Sequence, residues 1–193
     1  MTTRRRLTVY DFETGRTVGF DGPANRFLFV VDGSCRLTDV DGTVWLCETA
    51  AAEVPFLSPA LASVALSKAV TVAGAAPQVL FRVDRIDLTA GAGTPRHFHR
   101  GPGVRRLLFG RVRVEIGDDV YGVGPGGAWF EPGDDPVVGE NVFAGDSAFL
   151  RVSLLPVELE GGKSSFIPAS DAEAAKPRAV GQGLLHEAIV PIG

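Results

Sequence analysis

Apolar positions along this 193-residue chain come in short runs and not at helical spacing. Runs rich in Val, Leu, Phe and Thr are broken every few residues by Gly, Pro or Asp, the punctuation of short strands joined by tight turns. The pattern predicts strands over 26–31, 35–40, 43–46, 79–88, 105–109, 111–116, 128–131 and 149–155. Within 111–116, Val112, Val114 and Ile116 alternate with Arg111, Arg113 and Glu115. One face is therefore expected to be buried and the other solvated, as in an antiparallel sheet. Leu7-Thr8-Val9-Tyr10-Asp11-Phe12 alternates in the same way.

A weak internal repeat sets Phe27-Leu28-Phe29-Val30-Val31-Asp32-Gly33 beside Val104-Arg105-Arg106-Leu107-Leu108-Phe109-Gly110. A strand and an acidic-Gly turn follow each copy, with Asp41-Gly42 and Gly117-Asp118 as the turns. The separation of Gly33 from Gly110 leaves room for two small barrels or for two halves of one elaborated β domain. Two tandem barrels are the expectation, over residues 1–83 and 84–156. Beyond Pro156 the composition shifts to Gly, Ser, Ala and charge, and 157–193 reads as a C-terminal extension packing on the barrel. Ser170-Asp171-Ala172-Glu173 has the form of a capping box ahead of a short helix that Pro177 ends. Leu184 to Ile192 reads as a last extended segment.

Composition narrows the function classes. With 45% hydrophobic and 22% charged residues the chain has apolar material for a sizeable core. Nineteen basic against twenty-three acidic residues give a net charge of −4, so no global field draws it to nucleic acid or to an anionic membrane. Arg4, Arg5 and Arg6 precede an alternating strand and not the apolar core of a signal peptide, so a cytoplasmic protein is expected. No apolar stretch reaches bilayer length, and Val54 to Leu66 is broken by Pro55 and Pro59. Cys35 and Cys47 lack metal-ligand spacing and read as two partly buried thiols. No GxSxG, Walker A, GxGxxG or CxxC motif appears in its required context, which leaves nucleotide hydrolysis and serine-hydrolase chemistry without support.

The sharpest chemical feature is Arg96-His97-Phe98-His99-Arg100. Residues i and i+2 of a strand face the same way, so the two imidazoles converge. Convergent imidazoles suit a divalent metal, and they equally suit two rings capping a barrel rim through ordinary hydrogen bonds. One of Arg105 and Arg106 is expected to face inward, register deciding which; an inward Arg105 would bind a carboxylate or phosphate, and an outward one is an exposed arginine on a solvated strand. Phe98, Phe109, Trp129, Phe130, Phe143 and Phe149 would furnish an apolar lining, with Phe109 the one assigned to ligand contact.

Gly91, His97, His99 and Gly110, followed by Gly126, Pro132 and Asn141, resemble the two motifs of the cupin superfamily, over about Asp87 to Leu155. The resemblance implies an all-β chain built on a cupin-type antiparallel β-barrel, or jelly roll, with the first copy a degenerate second barrel as in bicupins. That first copy has no histidine and carries Arg26 where a glutamate would fall. The family's metal set is two histidines, a glutamate and a third histidine, and the last two positions here hold Gly103 and Val137. What remains is a reduced His97/His99 site, expected to bind a divalent metal (Fe, Mn, Ni or Zn) weakly at most. Glu131 and Glu140 are the nearest carboxylates that would complete it, but neither falls at the ligand position, and each reads first as a solvated turn or strand-edge residue; His186 in the tail reads first as a surface or interface residue.

Three functions follow as expectations. The first is a small-molecule-binding cupin with a polar or anionic ligand. The second is a metal-dependent enzyme of the dioxygenase, isomerase or lyase kind, and the third a metal-free structural or regulatory protein. A homodimer is also expected, since barrels of this family commonly pair and an exposed strand edge must be covered.

Overall fold

The structure is a computed structural model and describes residues 2–12, 25–31, 34–36, 39–41, 43–51, 62–73 and 77–191. Gly42 of the turn expected at Asp41-Gly42, and most of the apolar Val54 to Leu66 stretch, lie outside these residues. The chain divides into two compact units, Met1–Val79 with Val190–Gly193, and Leu80–Ile189. Both are built from antiparallel strands, and the architecture is all-β apart from short helical turns.

The first unit contains β1 (Thr2–Phe12), β2 (Asn25–Val30), β3 (Ser34–Arg36), β4 (Asp39–Asp41), β5 (Val44–Ala50) and β6 (Ala62–Ala73). Four of these form a sheet in the order β2-β5-β1-β6. The single strand expected over 35–40 is instead two short ones, β3 and β4, paired with each other from Ser34↔Asp41 to Arg36↔Asp39. Central strand β5 is buried along its whole length. Tyr10, Val44, Leu46 and Ala62 make an apolar cluster with Leu28. Buried Glu48 accepts from the Tyr10 hydroxyl at 2.8 Å and from Arg26 Nε at 2.8 Å. Arg26 is thus one partner of a buried ion pair, which must stay matched because a lone buried charge is costly.

The second unit contains two five-stranded sheets. One runs in the order β11 (Asp119–Val123), β10 (Val112–Ile116), β13 (Val137–Asn141), β8 (His97–His99), β15 (Phe166–Pro168). The other runs β12 (Ala128–Glu131), β9 (Gly103–Phe109), β14 (Ser147–Leu155), β7 (Gln78–Leu88), β16 (Val180–Pro191). Along β10, Val112, Val114 and Ile116 are buried and Arg113 and Glu115 partly exposed, the alternation expected from the residues. Leu88, Leu107 and Trp129 of the second sheet share one core with Val112, Val114, Ile116, Val123 and Val137 of the first, so the sheets pack face to face. Among the described residues no strand pairing joins the two sheets into a closed barrel. The segment after Leu155 contributes β15 to one sheet and β16 to the other. Between them lies α1 (Asp171–Ala174), whose Ser170 side chain accepts from Glu173 N at 3.2 Å as an N-cap.

Asn141 ties this unit together at one corner. Its Nδ2 donates to the carbonyls of Thr89 and Gly145, each at 2.9 Å, and Oδ1 accepts from Ser147 Oγ at 2.7 Å. The motif asparagine is therefore a buried knot between strand ends, with its polar atoms satisfied as burial requires.

Candidate functional site

The site is a cavity of about 60 Å³ inside the Leu80–Ile189 unit. That exceeds the roughly 10–15 Å³ one water needs. Most of its wall is apolar: Leu88, Val112, Val114, Trp129, Val137 and Phe149. Trp129 and Phe149 meet edge to face with ring centroids 5.1 Å apart.

Pairing register sets the polar part. On the second sheet Trp129, Arg105, Arg151 and Asp84 lie directly opposite one another across β12, β9, β14 and β7. Directly paired residues point to the same face, so this row projects together. Glu131 and Ser153 flank Gly103 in the next row. A Cβ at Gly103 would overlap Nη1 of Arg105 and crowd Ser153 Oγ and the Val152 carbonyl. Glycine at this position is what lets the Arg105 guanidinium lie back over β9 and reach Glu131. Arg105 Nη2 stands 2.6 Å from Glu131 Oε2, and both side chains are buried.

The two histidines approach from the other sheet. Both rings line the cavity, and Phe98 between them lies on the opposite strand face. Val137, directly across from His97, supplies apolar wall. His97 Nδ1 lies 2.8 Å from the Pro95 carbonyl, which only accepts, so this nitrogen carries the proton and Nε2 the lone pair. His99 Nε2 lies 3.2 Å from His97 Nε2 and 3.1 Å from Glu131 Oε2. A proton on His99 Nε2 serves both acceptors, which leaves Nδ1 to accept from Ser165 Oγ at 3.3 Å. Trp129 Nε1 donates to Glu131 Oε1 at 2.8 Å. The cluster is consistent with two neutral imidazoles, one carboxylate and one guanidinium.

Electrostatics agree with that inventory. Burial pulls His99 down to about 4, against the opposing pull of its bond to Glu131. Burial lowers His97 as well. For Glu131 burial acts upward, but the charge of Arg105 and the bond from His99 outweigh it and hold the carboxyl well below its usual range. Arg105 is drawn down to about 10 by burial, with Glu131 opposing, and remains charged at neutral pH.

Of the residues singled out in the sequence, His97, His99 and Arg105 come together here. Phe109 does not: it is 43% exposed at the end of β9, with the Arg85 guanidinium 5.8 Å above its ring. A bulge explains this: the β9–β14 register shifts between Ala148 and Phe149, so Phe109 pairs with Ala148 and leaves the face that Arg105 and Leu107 share. Arg106 faces away from Arg105, with Nε on the Gly126 carbonyl at 3.1 Å. Glu140 is exposed beside Arg113, 3.5 Å away, and His186 stands edge-on to Phe81 outside the cavity. Arg96 pairs with Glu115 and Arg100 with Glu158. Glu131, read from spacing alone as a solvated strand-edge residue, is instead 4% exposed and at the heart of the cluster. The chain after Leu155 contributes Phe166, Arg178, Val180 and Gln182 to the lining, none of which carried a motif.

Resemblance to cupins raises the question of a metal. His97 Nε2, His99 Nε2 and Glu131 Oε2 would hold one, and two imidazoles with a carboxylate are a suitable donor set. Charge balance does not fit: Glu131 Oε2 already neutralises Arg105, so a dication would stand against a buried guanidinium. Among the described residues no group of three or more His, Cys, Asp or Glu side chains is arranged to hold a metal ion.

No protein-family model matches the chain, and no curated protein matches it. Among solved structures, TT1209 from Thermus thermophilus is 26% identical over 43% of this chain and 79% of its own, with a TM-score of 0.36. AerE from Microcystis aeruginosa is 11% identical over 80% of this chain and 81% of its own, with a TM-score of 0.43. What the fold and site define is therefore a class: an all-β chain with a partly apolar cavity that ends in a buried His, Glu and Arg cluster. No helix among the described residues is long and apolar enough to cross a membrane.

Proposed function

We propose that the chain is a small-molecule-binding protein of cupin type, with its ligand held inside the Leu80–Ile189 unit. Support for a jelly-roll reading comes from the two five-stranded antiparallel sheets that share one core. The observation that carries the functional reading is the cluster of Arg105, Glu131, His99 and His97 at one side of an otherwise apolar cavity. Such a site takes an apolar body against Trp129, Phe149 and the valines, and fixes a polar group at the histidines. Buried Arg105 Nη1 has no hydrogen-bond partner among the described residues, which is a standing demand for an acceptor.

The second reading, a metal-dependent enzyme, is favoured by one observation: His99 Nε2 lies 3.2 Å from His97 Nε2 and 3.1 Å from Glu131 Oε2, so potential donor atoms are close neighbours. Elemental analysis of untagged protein, with thermal unfolding before and after a chelator, separates the two. A binding protein with Arg105 seated on Glu131 is expected to carry much less than one metal per chain and to melt at the same temperature after chelation. A stoichiometric metal that is lost in His97→Ala, with a melting temperature that drops on chelation, would replace the binding reading by the enzymatic one.

A further inference from the structure

We propose that the ligand is a small organic monocarboxylate whose acid group is gripped by Arg178 and Arg151 while its apolar body lies along Trp129, Phe149 and Phe166. This rests on the small-molecule reading above and names the ligand's class and orientation. Anion binding was expected of Arg105, but the Glu131 carboxylate, 2.6 Å from Nη2, already neutralises that guanidinium, so its unbonded Nη1 calls for a neutral acceptor and not a second anion. Two other arginines line the same cavity.

Arg151 is a built group. Its Nε and Nη2 donate to Asp84 Oδ2 at 3.1 and 2.8 Å, and Asp84 is fully buried. Gln182 Nε2 holds the other oxygen of Asp84 at 3.1 Å. The guanidinium is thereby fixed in the inward-facing row, with Nη1 left over.

Arg178, in the link between α1 and β16, has no carboxylate partner among the described residues. Its guanidinium lies 3.9 Å above the Phe166 ring, and that ring stacks on His97 at 4.4 Å between centroids and 19° between planes. A planar cation thus caps a stack that leads directly to the histidine cluster. Stacking on one face leaves the in-plane N–H groups of a guanidinium free to fork onto a carboxylate. Partial burial lowers Arg178, and the charge of Arg151 lowers it further. Glu131 balances Arg105, while Asp84 and Glu187 together balance Arg151 and the buried Arg82, 3.4 Å from Asp84, which leaves the surplus charge on Arg178. One surplus positive charge calls for a monoanion. A phosphate ester dianion would leave negative charge uncompensated against a largely apolar wall.

Calorimetric titration of the full chain with benzoate, benzamide and phenyl phosphate tests the assignment, in the wild type, R178Q and R178K. Arg178 is exposed, so neither substitution removes buried structure. Benzoate is expected to bind about tenfold tighter than benzamide, the usual worth of a charge-assisted pair. R178Q is expected to abolish that margin and leave benzamide within about twofold of wild type, with R178K intermediate, because lysine keeps the charge but loses the planar fork. Equal affinities for benzoate and benzamide in the wild type, or a benzoate margin that survives R178Q, would overturn the carboxylate clamp while the cavity reading stands. Phenyl phosphate outbinding benzoate would overturn the monocarboxylate class. Binding of none of the three would overturn the clamp and the small-molecule reading together.

Discussion

Glu131 and Arg105 hold each other charged where they are, with His99 and Trp129 also bonded to the carboxylate. Removing one partner of a buried pair typically costs several kcal/mol because the remaining charge is stranded. The same burial works on His99, whose proton affinity falls from 6.5 to about 4. An unfolded chain takes up that proton near 6.5, whereas the folded chain resists it until about 4. Between those values the unfolded state binds more protons, so stability falls as the pH drops through this window. Full use of the His99 shift would remove on the order of 3 kcal/mol, and the depressed Glu131 adds a loss of the same sign at lower pH. Urea unfolding at pH values from about 7.5 to 4.5 measures this directly. Wild type should lose stability steadily below about 6.5, and His99→Gln should show a flatter curve. Parallel curves for the two proteins would mean that His99 titrates normally and is not buried as described.

Within the strands and turns, Gly110 shows how tightly the β9–β10 corner is drawn. Its φ of +86° lies in the left-handed region, and a Cβ there would run into the backbone and side chain of Ser147. Ser147 is not free to yield, because its Oγ is bonded to Asn141 Oδ1 and receives the Arg111 amide at 3.1 Å. Gly110→Ala is therefore expected to destabilise the protein by roughly 2–4 kcal/mol, through strain and loss of the asparagine knot. Equilibrium denaturation checks this, and a change below about 0.5 kcal/mol would show that the corner relaxes freely.

Alternation within one strand was enough to orient Val112, Val114 and Ile116 and to bring His97 and His99 to one face. The turn chemistry at Ser170 likewise showed where a helix begins. What could not be seen along the chain was anything set by pairing between strands. Glu131 reaches Arg105 only because β12 pairs with β9 in one register and because Gly103 leaves the space. Phe109 looked like lining because the register shift between β9 and β14 that turns it outward cannot be read from one strand alone. Arg151 and Arg178 matched no motif, since the function of each depends on a partner, Asp84 or Phe166, far away in sequence. A signal was present in Gly103: a missing side chain beside an inward-facing arginine indicates that the arginine takes the room.

In the whole chain the chemistry is concentrated in one of the two units. The Met1–Val79 unit holds no histidine, and its buried Glu48 pairs with Arg26. All three histidines lie in the Leu80–Ile189 unit, His97 and His99 on the cavity and His186 outside it. That distribution supplies an internal control. Imidazole resonances of the full chain, followed by NMR as benzoate is added, report on the proposed site and on a ring outside the cavity lining in one experiment. Saturable shifts of His97 and His99 with a common dissociation constant, and a stationary His186, are the predicted result. Unmoved His97 and His99 resonances, or a drift of all three in proportion to benzoate concentration, would contradict a ligand-binding cavity at the histidine cluster.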